Sequence, residues 1–434
     1  MANEFVLDKE KVLNDAEQNG VTGFFTNKRK EALDLIDRLD MIKPDKTRIY
    51  NWDFFTVEQP FTESSTFDSL SDLPEKVKEV VEVENVENLY VQHNNTKAFV
   101  ELSESLKSQG VIVEDIFTAS ENHKDLVEKY FMTEGVAVDE NKLTAYHQAM
   151  LNGGVFIYVP KNVKVEAPIQ VVFYHDDENA SLYNHVLLVA DEGSEVTYVE
   201  NYVTNLESAN GQLNVVSEVL AKDNAKINYG AVDFLAKELT GYVVRRGVTS
   251  RDAEIDWALG LMSDSNVIYD NTTYLNGDNS GSEVKIVTIG RGQQLLNFTT
   301  EVIHYGKNTS GNILKHGVMK ENANSVFNGI GHIKKGATNS NAQQESRVLM
   351  LDGKARGDAN PILLIDEDEV EAGHAASAGR VDELQLFYLM SRGLKREEAE
   401  RLVIHGFLAP VVVSLPIESV KNLLVEVIED KILY

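Results

Sequence analysis

The texture of polar and apolar positions changes twice along the chain. Between Lys28 and Ile42, apolar residues fall at Ala32, Leu35, Ile36, Leu39 and Ile42. That is a helical stripe, and Pro44 stops it. Residues 103–109 predict a short helix, with Gly110 as its left-handed cap and Val111-Ile112-Val113 as the strand that follows. Residues 141–151 predict another helix, closed by Asn152-Gly153-Gly154. From Val155, for about two hundred residues, helical stripes give way to short β-branched and aromatic runs between Asn, Gly, Asp and Ser turns. Val155-Phe156-Ile157-Tyr158-Val159, Gln170-Val171-Val172-Phe173-Tyr174 and Val284-Lys285-Ile286-Val287 are examples.

The turns recur. A polar cluster, a small residue and then alternation appear at Gly193, Ala225, Ala253 and Gly281, spaced 32, 28 and 28 residues apart, with an echo at Gly311. A β repeat of this length fits a solenoid, in which each turn of chain buries its inward residues against the next. A sandwich would show turns every 8–12 residues without the longer period.

Helical pattern returns near the C-terminal end. Residues 381–390 carry apolar Val381, Leu384, Phe387 and Tyr388, with Gly393 beyond them. Residues 395–405 carry Ala399, Leu402 and Val403 and are expected to end at Gly406. Pro416 is expected to open a third helix with Ser414 as N-cap. Its stripe, Val420, Leu423, Leu424, Val427 and Ile428, packs either on its own domain or on a partner.

Composition narrows the function. The net charge of −28 disfavours nucleic acid as a main ligand. The absence of cysteine removes disulfides, thiolate nucleophiles and any cluster held by this chain's own thiolates. No run of about 18 apolar residues occurs, and residues 1–9 lack the pattern of a secretory signal, so a cytoplasmic protein off the membrane is expected.

Most motifs of chemistry fail on inspection. Gly331 to Thr338 resembles a phosphate-binding loop for six positions but has Ala337 where the phosphate-gripping Lys belongs, and predicts a plain turn. If ATP matters, another chain hydrolyses it. His304, His316 and His332 form no dense ligand set, although they could share one solenoid face. Asp366 to Glu369 reads as a solvated acidic turn. His374 stands among small residues, Glu371-Ala372-Gly373-His374-Ala375-Ala376-Ser377-Ala378-Gly379, in what reads as a hinge between the β run and the C-terminal helices. Its imidazole is the one good donor there for borderline metals. A solenoid enzyme acting on acidic polysaccharide, using Arg245, Arg246, Arg251 or Arg291 with Asp252, is the competing reading, by fold analogy alone. A self-associating structural solenoid is a third.

Gly373-His374-Ala375-Ala376, Gly379-Arg380-Val381-Asp382-Glu383 and Leu386 to Gly393 resemble the SufD family of iron–sulfur cluster assembly proteins. Glu397-Glu398-Ala399 and Leu402 to Phe407 match the family's C-terminal helices, and Gly154 to Lys161 with Val165 to Ile169 the opening of its β core. Arg48 and Trp52 loosely match its N-terminal signature. The departures are Ala372, where some relatives have Cys, Ala375, often Gly, and Leu389, where the sister scaffold SufB has Cys.

The resemblance implies a right-handed parallel β-helix over residues 154–372, between a mixed N-terminal region (1–153) and a C-terminal helical domain (373–434). It implies a non-catalytic scaffold subunit that pairs with SufB, or with itself when isolated, and binds the ATPase SufC, its source of ATP energy. It makes His374 a ligand to a nascent iron–sulfur cluster shared with the partner subunit. Arg392, Leu402 and Phe407 are the expected contacts to the ATPase.

Overall fold

A computed structural model describes residues 7–57, 60–81, 86–413 and 418–433. Ser414 and Pro416, expected to start the last helix, lie outside the described residues. From Gly153 the chain winds as a parallel β-solenoid of about eight turns, with helices at both ends. Successive strands alternate between two sheets, of ten and nine strands among the described residues. In the ten-stranded sheet Glu195, Lys226, Glu254, Gly281, Ser310, Asn341 and Glu371 stand in one register column. The predicted repeat is therefore one turn of solenoid, and the echo at Gly311 is the strand Ser310–Met319. The alignment slips in detail. Gly281 pairs with Glu254, not with Ala253, and the small buried column just before the strands is Ser194, Ala225, Ala253 and Ser280.

Alternation along each strand sends every second side chain inward, and in-register pairing stacks like positions. Tyr198, Tyr229 and Trp257 form one inner column, with ring centroids 4.9 and 4.8 Å apart. Tyr269, Phe298 and Phe327 form another on the opposite sheet, at 5.3 and 5.0 Å. Each such buried ring stabilises the fold by about 2 kcal/mol. One corner is held by a polar ladder. Asp252, Asn279, Asn308 and Asn339 all adopt φ between 56° and 60°, a region that Asn and Asp tolerate. Asn279 Nδ2 donates to Asp252 at 2.8 Å, Asn308 to Asn279 at 3.1 Å and Asn339 to Asn308 at 3.3 Å.

The N-terminal end of the solenoid is plugged. Strand Asn88–His93 adds parallel to Ile169–His175, and Thr96–Glu101 folds back on it antiparallel. Ile112–Asp115 ends the other sheet, antiparallel to Gly153–Val159. Helix Glu104–Ser108 places Leu106 among the lumen residues; Ser103 Oγ caps its start and Gly110, at φ 75°, follows its end. The helix expected over 28–42 begins earlier and stops earlier, as Gly23–Leu35 with a 3-10 turn Ile36–Arg38. Leu39 is extended, which lets Met41 and Ile42 pack on the apolar cluster over the outer sheet face.

A buried carboxylate joins this region to the solenoid. Glu218 is inaccessible to solvent and accepts hydrogen bonds from the Met132, Gly135 and Val136 N–H groups at 2.6, 3.2 and 3.0 Å. His185 Nε2 lies 3.1 Å from it, and His185 Nδ1 meets His147 Nε2 at 3.1 Å. A Cβ at Gly135 would come within 2.8 Å of Glu218 Oε1. Glu218→Ala would leave three N–H groups and an imidazole unpaired. It should lower stability by about 3 kcal/mol or more, read by chemical denaturation, and loosen residues 123–140 to protease.

Candidate functional site

The segment expected to be a hinge is a strand. Glu371–Arg380 pairs in parallel with Asn341–Met350 along its whole length, so the ladder passes the boundary expected at 372 and reaches Arg380. Seven of its ten residues are Ala, Gly or Ser, small enough to continue the inner and outer columns without a bulky core above them. It is the last strand of its sheet, as Arg356–Ile365 is of the other. Both leave an unpaired edge among the described residues, and Leu364 and Ile365 are exposed beside it. His374 is in register with Gln344 and Ile313, on the inward face of the strands. Gln344 is buried by the turn above it, whereas His374 is exposed, since no further turn covers it. Among the described residues no group of three or more His, Asp or Glu is arranged to hold a metal ion. His374 can thus supply one ligand and no complete site.

The other candidates are dispersed. His316 lies on the ten-stranded sheet, whereas His304 and His332 lie on the nine-stranded one, so the three do not stack on one face. His304 Nδ1 bonds Thr309 Oγ1 at 2.8 Å, and His316 Nδ1 donates to the Phe407 carbonyl at 2.8 Å. Gly331 to Thr338 is the end of a strand and a turn, and Glu367 of the acidic run ties that turn by accepting from the Gly336 N–H at 2.9 Å. Those backbone hydrogen bonds, from Gly336 and Asp368, hold the Glu367 carboxyl down to about 2. The arginines of the polysaccharide reading share no cleft. Arg245 is buried in the lumen with Glu200 and Asp233, while Arg246 is buried on the outer face with Glu140 and Asp270. Arg291 is bound to Asp264, and Arg251 is exposed beside Asp223 and Asp252.

The C-terminal helices divide into a docked part and a bare part. Helix Arg396–Val412 runs past Gly406 and through Pro410, because Leu408, Val411 and Val412 bury against outward side chains of the ten-stranded sheet. The stripe of helix Glu418–Leu433 is used within the fold: Val420, Leu424, Val427 and Ile428 pack beside Val232, Ala258 and Val287. At Gly260 a Cβ would clash with Leu424 Cδ2. Lys431 Nζ is buried and reaches Asp264 at 2.8 Å and the Ile289 carbonyl at 3.1 Å. Helix Glu383–Ser391 differs, since it buries Leu386 and turns its apolar stripe outward. Leu384, Phe387 and Tyr388 are 76, 69 and 57% exposed, and Leu402 of the next helix is 53% exposed beside them. Leu384, Tyr388, Leu389, Leu402 and Val403 line a shallow groove of about 440 Å³. Arg392 stands 5.2 Å over the Tyr388 ring and donates to its hydroxyl at 3.1 Å. Arg392 and Leu402 therefore share the bare face. Phe407 does not: it is half-buried and stacks on His316, with centroids 5.0 Å apart. Sequence reasoning marked the stripe on residues 381–390 but not its outward turn, which only the docking of the two longer helices decides.

Burial, with repulsion from nearby His332 as a smaller cause, pushes the His304 imidazole down to about 4. An unfolded histidine titrates near 6.5. Between these values the unfolded chain binds more protons, so stability is complete above about 6.5 and declines as pH falls toward 4. Denaturation midpoints at pH 7 and 4.5 should differ less for His304→Asn than for the unaltered chain.

Two family models match the chain: the SufBD protein N-terminal region over residues 22–171, and the SUF system FeS cluster assembly SufBD core domain over residues 173–407. An iron–sulfur cluster assembly protein SufD of Bacillus subtilis is 54% identical over 434 residues, covering 100% of this chain and 99% of that protein. An iron–sulfur cluster assembly SufBD family protein of Staphylococcus saprophyticus is 30% identical over 387 residues, covering 89% of this chain and 81% of that protein. A SufBD family protein of Staphylococcus epidermidis is likewise 30% identical over 387 residues, with the same coverage.

Proposed function

The chain belongs to the SufD family of iron–sulfur cluster assembly proteins, and on that premise we propose that it is a non-catalytic scaffold subunit whose open solenoid end meets a second, cysteine-bearing scaffold of the SufB type. The observation that carries this reading is the bare terminal turn. A strand of small, exposed residues with an unpaired edge is a template for another chain. His374 lies on that strand with its ring uncovered. A cluster formed there is cargo held between two subunits. This chain supplies one imidazole and the partner supplies thiolates, the mixed ligation that iron–sulfur chemistry accepts. In isolation the same edge would pair with a second copy of this chain.

The outward face of helix Glu383–Ser391 and Leu402 is the proposed dock for a SufC-type ATPase, which supplies the nucleotide energy. An apolar patch of this kind, rimmed by Arg392 and by Arg396 paired with Glu383, fits a protein interface. Phe407 then acts from behind, holding helix Arg396–Val412 against His316. No helix among the described residues is long and apolar enough to cross a membrane, and the cytoplasm is the proposed location.

Co-expression with a cysteine-bearing scaffold and the ATPase, followed by reconstitution with iron and sulfide, tests the site. His374→Ala should lower bound cluster severalfold at unchanged complex stability, and an unchanged cluster yield would remove the ligand role. Leu402→Asp or Phe387→Asp should weaken ATPase binding at least tenfold, about 1.4 kcal/mol, by calorimetry, while pairing with the scaffold persists.

A further inference from the structure

Polar side chains line the lumen beyond the aromatic columns. On the nine-stranded sheet Arg245, Asn271, Thr300 and Gly329 succeed one another in a single inward column. On the ten-stranded sheet Ile286, Lys315, Ser346 and Ala376 do the same, and end at the open strand beside Gln344 and His374. Arg245 is satisfied by Glu200 and Asp233, each at 3.0 Å. Past Arg245 the lumen leaves polar groups without protein partners. Both polar atoms of the Asn271 side chain, Thr300 Oγ1, Ser325 Oγ and Gln344 Oε1 are unpaired, although each residue is more than nine-tenths buried. Lys315 is fully buried among them. Its Nζ donates to the Asn328 carbonyl at 2.7 Å and lies 5.6 Å from the centre of the Phe327 ring. Its column neighbours Ile286 and Ser346, and Phe327 and Asn328 facing it, carry no charge. At Gly329 a Cβ would clash with Gln344 Oε1 and lie 3.7 Å from Ser346 Oγ, so the missing side chain makes room for the Gln344 amide at the end of the column.

An unpaired buried polar group costs about 1–3 kcal/mol, and internal water, making about three hydrogen bonds per molecule, relieves that cost. Mixed donors and acceptors in succession suit water better than an ion. We propose that the last turns of the solenoid enclose a file of internal water, running from Asn271 past Thr300 and Lys315 to Gln344 and the open end, and that Lys315 exchanges protons with solvent along it. The amine takes a proton from the nearest water, and the file replaces it from solvent at the open end; release runs the same path in reverse. Burial pushes Lys315 down to about 7, so both forms are populated near neutrality. Groups that bind metal give up protons as they do so, and a proton acceptor beneath the open face would take them up. That use rests on the proposed function; the water file and the lysine's titration do not.

A crystal structure at a resolution that orders water should show molecules bonded to Asn271, Thr300, Ser325 and Gln344. A dry lumen with these groups closed on one another overturns the file. The lysine is tested by stability against pH, comparing the full chain with Lys315→Met. An unfolded lysine titrates near 10.4, so between about 7 and about 10 the unfolded chain binds more protons. The folding constant of the unaltered chain should rise about tenfold per pH unit there, relative to the variant, and run parallel to it below 7. Parallel profiles at all pH values overturn the role of Lys315. During cluster reconstitution at pH 7.5, a pH indicator should register more protons released by the complex carrying Lys315→Met. Equal release, with ordered water and the expected pH profile in hand, would reject the assembly role alone.

Discussion

In-register stacking of inward side chains is the constraint on which the molecule depends. Each turn of the solenoid exposes an apolar face that its own residues cannot cover, and the next turn covers it. Tyr198, Tyr229 and Trp257 illustrate the arrangement, since each ring is buried by the neighbour one turn away. Such a stack leaves the problem of its ends. At the N-terminal end short antiparallel strands and Leu106 close the lumen. At the other end the strand Glu371–Arg380 dwindles to small residues, and among the described residues no further strand pairs with it or with Arg356–Ile365. In the proposed function, the difference between the two ends is what suits the solenoid to pairing with a second scaffold.

The two helical regions serve that end without covering it. The N-terminal region is anchored through Glu218 and the His147–His185 pair on the outer face of one sheet. The C-terminal helices grip the outer face of the other sheet through Leu408, Leu424, Ile428 and the buried Lys431. That grip holds helix Glu383–Ser391 beyond the solenoid with its apolar side outward. A partner on that face and a partner on the open strand would both be held by elements that follow the last turn closely in sequence.

Much of this was legible in the sequence, for physical reasons. The period near Gly193, Ala225, Ala253 and Gly281 reflects turns that must repeat wherever a chain winds on itself, and it gave the solenoid. It missed by one residue at Gly193 and, in the other direction, at Gly281, because small residues are tolerated on either side of the corner. Gly110 ends its helix as read, while Ser103 and Asn141, expected as the first helical residues, are the caps just before Glu104 and Lys142, through backbone chemistry that needs no tertiary contact. The stretch around His374 was misread as a hinge, because a strand of Ala, Gly and Ser has no β propensity of its own. It is a strand only because Asn341–Met350 offers a ladder. Gly406, expected to end its helix, does not, because burial of Leu408 and Val411 carries the helix past it and through Pro410. The Glu218 network and the buried Lys315 left no sequence signal, since their partners come from distant turns.

Amide hydrogen exchange along the strand Glu371–Arg380, with and without the cysteine-bearing scaffold partner, tests the central claim most directly. Free, the outer edge of this strand should exchange quickly. On complex formation its N–H groups should become protected at least about tenfold, more than those of the plugged end at Thr96–Glu101. Unchanged exchange on Glu371–Arg380 in a complex that is otherwise fully formed would contradict the account, because the open end would then not be the place where the two scaffolds join.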